Sequence, residues 1–289
     1  KAECLNSAHQ LLNVIITFYG LQPFNVGSPP NWFEEPFSKQ IYFGKDKHWS
    51  ELKYFTNSDI KHYWEISRWT WAPILARAWR YSGNKKYIQC LNEWMQSWCN
   101  QNPVNCGCNW LCSQEVSIRL IHALQSFLIL DGTRQYPYLT NNRKAFTLSH
   151  LKRIYTTQLY AKAQNNNHWL SEAAALFIGG SWCNDKFFSE KGRISLEKCV
   201  SKLIMEDGSF SQYSVNYHRL MIDTLNQVEI WRRLLGEKPF SDRYYILFNK
   251  VYKWLIDFVD PICGDAPNLG ANDGAYCYAL HNMPFRDFR

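Results

Sequence analysis

Apolar residues along this chain recur at steps of three and four rather than two. In KKYIQCLNEWMQSWC, Tyr87, Leu91, Trp94, Met95, Trp98 and Cys99 fall on one face of a helix. EVSIRLIHALQSFLIL does the same through Ser117, Leu120, Ile121, Leu124, Phe127 and Leu128, and SLEKCVSKLI, HRLMIDTLNQVEIWRRLLG and YYILFNKVYKWLIDFV follow suit. Gly236 stands where a helix C-cap glycine belongs. WEISRWTWAPILARAWRYSG predicts a further helix, in which Pro73 either opens the regular part or kinks it. About eight helices fall between residues 62 and 260, joined by short turns such as SGNKK and EDGSF.

Strand-type alternation is nearly absent before AYCYALH, close to the C-terminal end. The fold class is therefore all-α, built from consecutive antiparallel helix pairs. Such pairs stack as a bundle, a solenoid, or a closed or nearly closed ring of hairpins. A connector over residues 132–146 interrupts the pattern once, and residues 21–60, rich in Pro, Trp and Phe, read as irregular. The predicted organisation is an irregular arm over 1–60 packed on the main domain, a helical body over 61–262, and a tail over 263–289.

Composition sharpens this picture unevenly. The chain has 289 residues, enough for one large domain or two small ones, and its 46% apolar content argues against disorder. Its 13 Trp, 17 Tyr and 17 Phe exceed ordinary use, so they either line a binding surface or form a tryptophan-rich core. The net charge of +7 leans toward an acidic partner, while no basic run or familiar motif points to nucleic acid. Apolar runs such as LLNVIITFYG are far short of a membrane span. The start at Lys1 fits either a removed signal peptide or a trimmed chain.

Of the ten cysteines, Cys90, Cys99 and Cys199 sit on apolar helix faces as small hydrophobes do. CGCNWLC resembles a metal cluster but lacks a second pair or a His at ligand spacing, so no metal site is expected. Free thiols, with at most one disulfide, are the expectation.

Polar residues gather at four helix starts: KHYWEISRWTW, CNWLCSQEVSIR, NNNHWLSEAAA and FSQYSVNYHR. Singly, each has a structural account. Asn167 caps a helix, Tyr217 is a core aromatic with a wet hydroxyl, His218 is a satisfied partner, and Arg68 with Glu115 makes an interhelical ion pair. Taken together and in order, WEISRWTW, NWLCSQEVSIR, NNNHWLSEAAAL, DGSFSQYSVNYHR and GANDGAY resemble the helical domain of heparinase II/III-type polysaccharide lyases, over nearly the whole chain.

That resemblance implies an incomplete (α/α) toroid and β-elimination on a uronic-acid polysaccharide. The proton on C5, beside the carboxylate, is removed and the 4-O-glycosidic bond leaves, so the carboxylate must be neutralised by hydrogen-bond donors or by a proton shared with it; an asparagine amide supplies two donors and no competing base. The family's catalytic amide precedes the His of its NH motif, which is Asn167 here; Asn166 and His168 become neighbours that contact the substrate or orient the amide, and Asn165 the cap or loop residue. Tyr217, in the family's Y-H-R-like string, becomes the base and then the acid, with His218 as a further catalytic residue and Arg219 beside it. A phenol has a pKa near 10 and needs nearby positive charge or donors to act as a base at neutral pH. Arg68, Trp71, Asn109, Trp110, Glu115, Glu172 and Arg219 match positions that line or brace the cleft, with Glu115 and Glu172 more suited to bracing.

The same resemblance implies an acidic polysaccharide partner, no cofactor (a structural divalent cation is left open), and a periplasmic or secreted location. Unpaired cysteines pull the location toward a reducing compartment such as the cytoplasm. It also implies a β-sandwich domain following this chain and carrying a further histidine, with GANDGAYCYALHNMPFRDFR as its threshold. Two other classes remain. A glycoside hydrolase on a helical ring needs a pair of carboxylates, which the clusters do not offer. A non-catalytic acidic-glycan-binding or assembly protein would keep the cleft without turnover.

Overall fold

The computed structural model describes residues 2–19, 22–52, 58–132 and 141–271. The chain divides into two compact units, residues 1–138 and 139–289. The division falls inside the connector that the helical pattern leaves at 132–146.

The first unit opens with α1 (Ala2–Leu12) and an antiparallel hairpin of β1 (Ile15–Phe18) and β2 (Gln22–Asn25), with Ile15 opposite Asn25. The arm is therefore not irregular throughout. Cys4, Ala8 and Leu11 bury one face of α1, a stripe too short and too small to stand out in the sequence. α2 (Lys61–Ser67) and α3 (Trp71–Ser82) split the stretch that reads as one helix. Trp69 takes a left-handed φ of 61° between them, and Pro73 falls in the first turn of α3, where its missing N–H is no loss. Gly83, with φ 69°, ends α3, and the side chain of Asn84 caps α4 (Lys85–Gln101) by accepting the Lys86 N–H at 3.0 Å. α5 (Ser113–Asp131) packs on α3 and is buried continuously from Ser113 to Phe127.

Tryptophan fills the centre of this unit. Trp32, Trp69, Trp71, Trp94, Trp98 and Trp110 are fully buried, with Trp71 and Trp94 ring centroids 5.2 Å apart and Trp69 and Trp98 5.4 Å apart. Each buried indole N–H needs an acceptor. Trp98 donates to the Ser67 hydroxyl at 3.1 Å, Trp94 to Ser28 at 3.1 Å and Trp32 to Ser97 at 3.1 Å. For these six rings the aromatic excess is core.

The second unit contains α6 (Asn141–Thr156), α7 (Gln158–Gln164), α8 (Asn167–Trp182), α9 (Lys186–Leu203), α10 (Val215–Leu234) and α11 (Asp242–Ile256). α6 begins inside the expected connector; Thr147, His150, Leu151 and Ile154 bury its face at helical spacing. α8 and α9 approach backbone to backbone. A Cβ on Gly180 would lie 2.3 Å from the Ser189 nitrogen, and one on Gly192 would lie 2.2 Å from the Phe177 nitrogen. α10 packs on α8, and α11 packs on both α10 and α9.

Residues 268–271 are pinned to the start of α10. Val215 N–H donates to the Leu269 carbonyl at 3.1 Å, the Ser214 hydroxyl to the Ala271 carbonyl at 2.6 Å, and the Asn216 amide to Asn268 at 2.9 Å. Gly270 has φ 78°, and a Cβ there would meet the Tyr213 carbonyl at 2.2 Å. The strand expected at AYCYALH, together with His281 and Cys277, lies outside the described residues. The class is all-α, as the helical period predicts. Among the described residues no helix is long and apolar enough to cross a membrane, and the described cysteines form no disulfide.

Candidate active site

The candidate residues fall in both units, and each set is built from its own elements. In the second unit, the three asparagines divide three tasks. Asn165 ends α7 in the left-handed region, with φ 50° and ψ 45°, its N–H donating to the Lys162 carbonyl at 3.3 Å. Asn166 is the N-cap of α8, its side-chain oxygen accepting the His168 N–H at 3.0 Å. Of the two roles expected at Asn165, cap or loop, it takes the turn that stops the preceding helix, and the N-cap of α8 is Asn166.

Asn167 is the first residue of α8. Its N–H donates to the side-chain oxygen of Gln212 at 2.9 Å. The side chain of Asn167 is only 4% exposed, and its amide makes no hydrogen bond among the described residues. Two amide donors are thus held at a helix N-terminus, where the backbone already favours negative charge.

Gln212 belongs to the loop between α9 and α10. Nearby in that loop, the Ser211 hydroxyl donates to the Asn165 carbonyl at 3.4 Å, and Ser214 caps α10 by accepting the Tyr217 N–H at 3.2 Å. One loop therefore ties together the starts of α8 and α10, and Tyr217 sits half-buried in the first turn of α10. Gln212 was not singled out in the sequence; its position two residues before a Ser N-cap was the available signal.

His218 occupies the interior. It is 0% exposed, its Nε2–H donates to the Val251 carbonyl at 2.8 Å, and its ring stacks on Trp254 at 4.4 Å. Burial holds its pKa below the usual value, so it is the neutral tautomer with Nδ1 as the bare acceptor. In this conformation His218 fixes α10 against α11 and does not reach solvent. Arg219 is half-buried, one turn before Asp223, whose carboxyl burial pushes up to about 7 against the pull of Arg219. His168 is half-buried, and Glu172, one turn further along α8, is buried.

In the first unit, Arg68 pairs with Glu115 through two bonds, Nε to Oε2 at 2.6 Å and Nη2 to Oε1 at 2.8 Å. Its Nη1 also bonds Glu65, whose carboxyl burial raises against the pull of Arg68. All three side chains are buried, and Glu115 braces Arg68 across 47 positions of sequence. Asn109 donates to the Trp32 carbonyl at 3.1 Å and to the Asn102 side chain at 2.9 Å. Trp71 donates its indole N–H to the Ile66 carbonyl at 3.0 Å, and Trp110 donates to the Asn102 carbonyl at 3.3 Å.

Trp71, Asn109 and Trp110 are therefore interior residues here, not sugar-stacking surfaces. A tryptophan at a helix start reads equally well as platform or core, and only burial decides. Arg119 was missed. It is buried with its guanidinium 4.3 Å from the Trp98 ring centroid, donating to the Ser67 carbonyl at 3.2 Å and the Asn109 carbonyl at 3.0 Å. Among the described residues no group of His, Cys, Asp and Glu is arranged to hold a metal ion.

Residues 19–274, which take in all of these positions, match the family model described as Heparinase II/III N-terminus. The chain belongs to the heparinase II/III family. No curated protein matches the sequence. Three solved structures share the fold of this heparinase II/III member. Heparinase III is similar with a TM-score of 0.64 and 18% identity, over 93% of this chain and 41% of that one. The heparinase III BT4657 gene product with methylated lysines gives 0.62 and 18%, over 93% and 43%. Heparan sulfate lyase HepC from Pedobacter heparinus gives 0.59 and 20%, over 91% and 39%. At these identities the likeness is one of fold, and the chain spans about two-fifths of the length of those structures.

Proposed function

We propose that this chain is the helical part of a polysaccharide lyase that cleaves an acidic polysaccharide at a uronic acid by β-elimination. The observation that carries the reading is Asn167: a largely buried amide, free of hydrogen bonds among the described residues, on a helix start fixed by Gln212. Asn167 donates to the substrate carboxylate and so stabilises the charge that spreads from C5 into it in the transition state. Tyr217, as phenolate, takes the C5 proton; the electron pair forms the C4–C5 double bond as the C4–O bond breaks. The phenol then returns the proton to the leaving oxygen when both groups lie on one face of the sugar, as in a glucuronate. Tyr217 stands in the first turn of α10, where the helix terminus favours negative charge.

His218 acts through position, holding the helix that carries Tyr217. The fold relatives are a heparinase III and a heparan sulfate lyase, which supports a glycosaminoglycan-type uronate. A following domain completes the site in this reading.

The test is turnover by the full-length protein on heparan-, hyaluronan- and alginate-type polymers. Elimination makes a conjugated, ultraviolet-absorbing unsaturated uronate. Asn167→Ala is expected to lower kcat by about 10²–10³, Tyr217→Phe to abolish turnover, and Asn165→Ala to leave it nearly unchanged. New reducing ends without the absorbance would identify a hydrolase and overturn the reading, as would full activity in Tyr217→Phe.

A further inference from the structure

A hollow of about 650 Å³ opens on the second unit between α9 and the start of α11, with Trp169 at its wall. Its charges do not balance. Glu197 is the carboxylate lining it, and both of its oxygens are taken: one accepts the Ser241 N–H at 2.7 Å and the other the Ser241 hydroxyl at 2.5 Å. Arg243 is matched by Glu206. Lys198 and Lys202 line the hollow with no ion pair among the described residues, and the Lys202 ammonium stands 5.8 Å from the Trp169 ring centroid.

The excess continues onto α7. Lys162 bonds only the neutral Gln158 side chain, at 3.1 Å. Burial lowers its pKa, and the charges of Lys198 and Lys191 lower it further, so these three ammoniums crowd one face. Like charges crowded on one face in excess over the carboxylates repel one another, and the repulsion is relieved when a polyanion arrives. The hydroxyl of Ser201 adds a hydrogen-bonding group between the cations, while that of Ser241 is engaged with Glu197 and the Tyr244 N–H.

We propose that this ridge and hollow form a further binding surface for an acidic polysaccharide, built from residues other than Asn167 and Tyr217, that grips sulfate or carboxylate groups of the polymer. The proposal rests on the acidic-polysaccharide reading above but not on its chemistry. The surface holds the chain electrostatically and takes no part in bond cleavage. It favours long polymers, because each further sulfate or carboxylate that meets the lysines adds to the electrostatic contact.

The test is calorimetric binding of heparin, hyaluronan and alginate fragments to the full chain over a salt series. The wild type is compared with Lys162→Gln/Lys198→Gln/Lys202→Gln and with the corresponding triple Lys→Arg variant. Removing the charges is expected to weaken binding of long fragments at least tenfold, about the scale of 1.4 kcal/mol. The slope of log Kd against log salt should fall by about two to three. The arginine variant should bind as the wild type does, and the contrast between heparin and the unsulfated polymers tells sulfate from carboxylate. Asn167→Ala and Tyr217→Phe should remove elimination while keeping the part of the salt slope that the lysines supply, so a failed elimination assay and a failed binding assay are told apart. Unchanged affinity and slope in the glutamine variant overturns the proposal. So does binding that depends on the ridge for single-stranded DNA but not for any polysaccharide.

Discussion

The side-chain oxygen of Gln212 accepts the backbone N–H of Asn167 at 2.9 Å, across 45 positions of sequence. It satisfies an orphan donor at the start of α8, where Asn166 has already taken the N–H of His168. Gln212→Ala should therefore cost about 1 kcal/mol, the usual worth of a helix cap, while Gln212→Glu keeps the acceptor and the stability. Urea denaturation of both variants checks this, and an unaffected Gln212→Ala would show the tie to be incidental.

The contact between α8 and α9 depends on two bare backbones. A methyl at Gly192 would lie 2.2 Å from the Phe177 nitrogen, a distance no rotamer can relieve. Gly192→Ala and Gly180→Ala should each destabilise the second unit by about 2–4 kcal/mol through overpacking and forced separation of the helices. Gly236→Ala makes the control, since nothing lies within 4 Å of a Cβ there and only the left-handed φ of 67° is strained. Comparable losses in all three would contradict the close-approach argument.

Arg68 and Glu115 should be costly to separate and cheaper to remove together. Glu115→Gln leaves a buried guanidinium with less compensation, for which about 3–5 kcal/mol is the expected loss. Arg68→Met with Glu115→Leu should recover much of that, leaving Glu65 to be neutralised by its raised pKa. A double-mutant cycle in guanidinium chloride measures the coupling, and additive losses would exclude it.

Asp223 gives an unusual sign to the pH dependence. Its carboxyl is pushed up to about 7 in the folded chain, from an ordinary aspartate value of 3.8, because burial outweighs Arg219. Between these values the folded state holds the proton that the unfolded state has lost, so stability falls as pH rises from about 4 to 7. Above that window Asp223→Asn should be more stable than wild type by on the order of a few kcal/mol, with the gap closing at acid pH. Thermal melts of the pair across pH 4–8 show it; parallel curves would place the group in water.

His218 acts in the opposite sense. Its pKa is lowered by burial, so below about 6.5 the unfolded chain takes up a proton that the folded one resists. Stability from this group is complete above that value and is lost as pH falls. Replacement by Gln keeps an N–H for the Val251 carbonyl and removes the titration. The acid limb of the stability curve should flatten in His218→Gln, and an unchanged limb would assign the acid loss to other groups.

The sequence by itself determined the helical period, the all-α class, the glycine that follows the end of α10, and the order of motifs that marks the heparinase II/III family. These are local properties, set by 3.6-residue spacing and backbone preference within a few residues. It could not separate an amide that caps from an amide that waits: Asn165, Asn166 and Asn167 are alike in type. Their division of labour was decided by Gln212, which only folding brings to Asn167. Likewise Trp71, Trp110 and His218 carry polar edges that suit a cleft, yet packing against Trp94, Trp98 and Trp254 took them inside. The unbalanced lysines of α7 and α9 are separated in sequence and ordinary one by one. Tertiary structure made them a surface, because repulsion and burial depend on which helices meet rather than on the spacing within any of them.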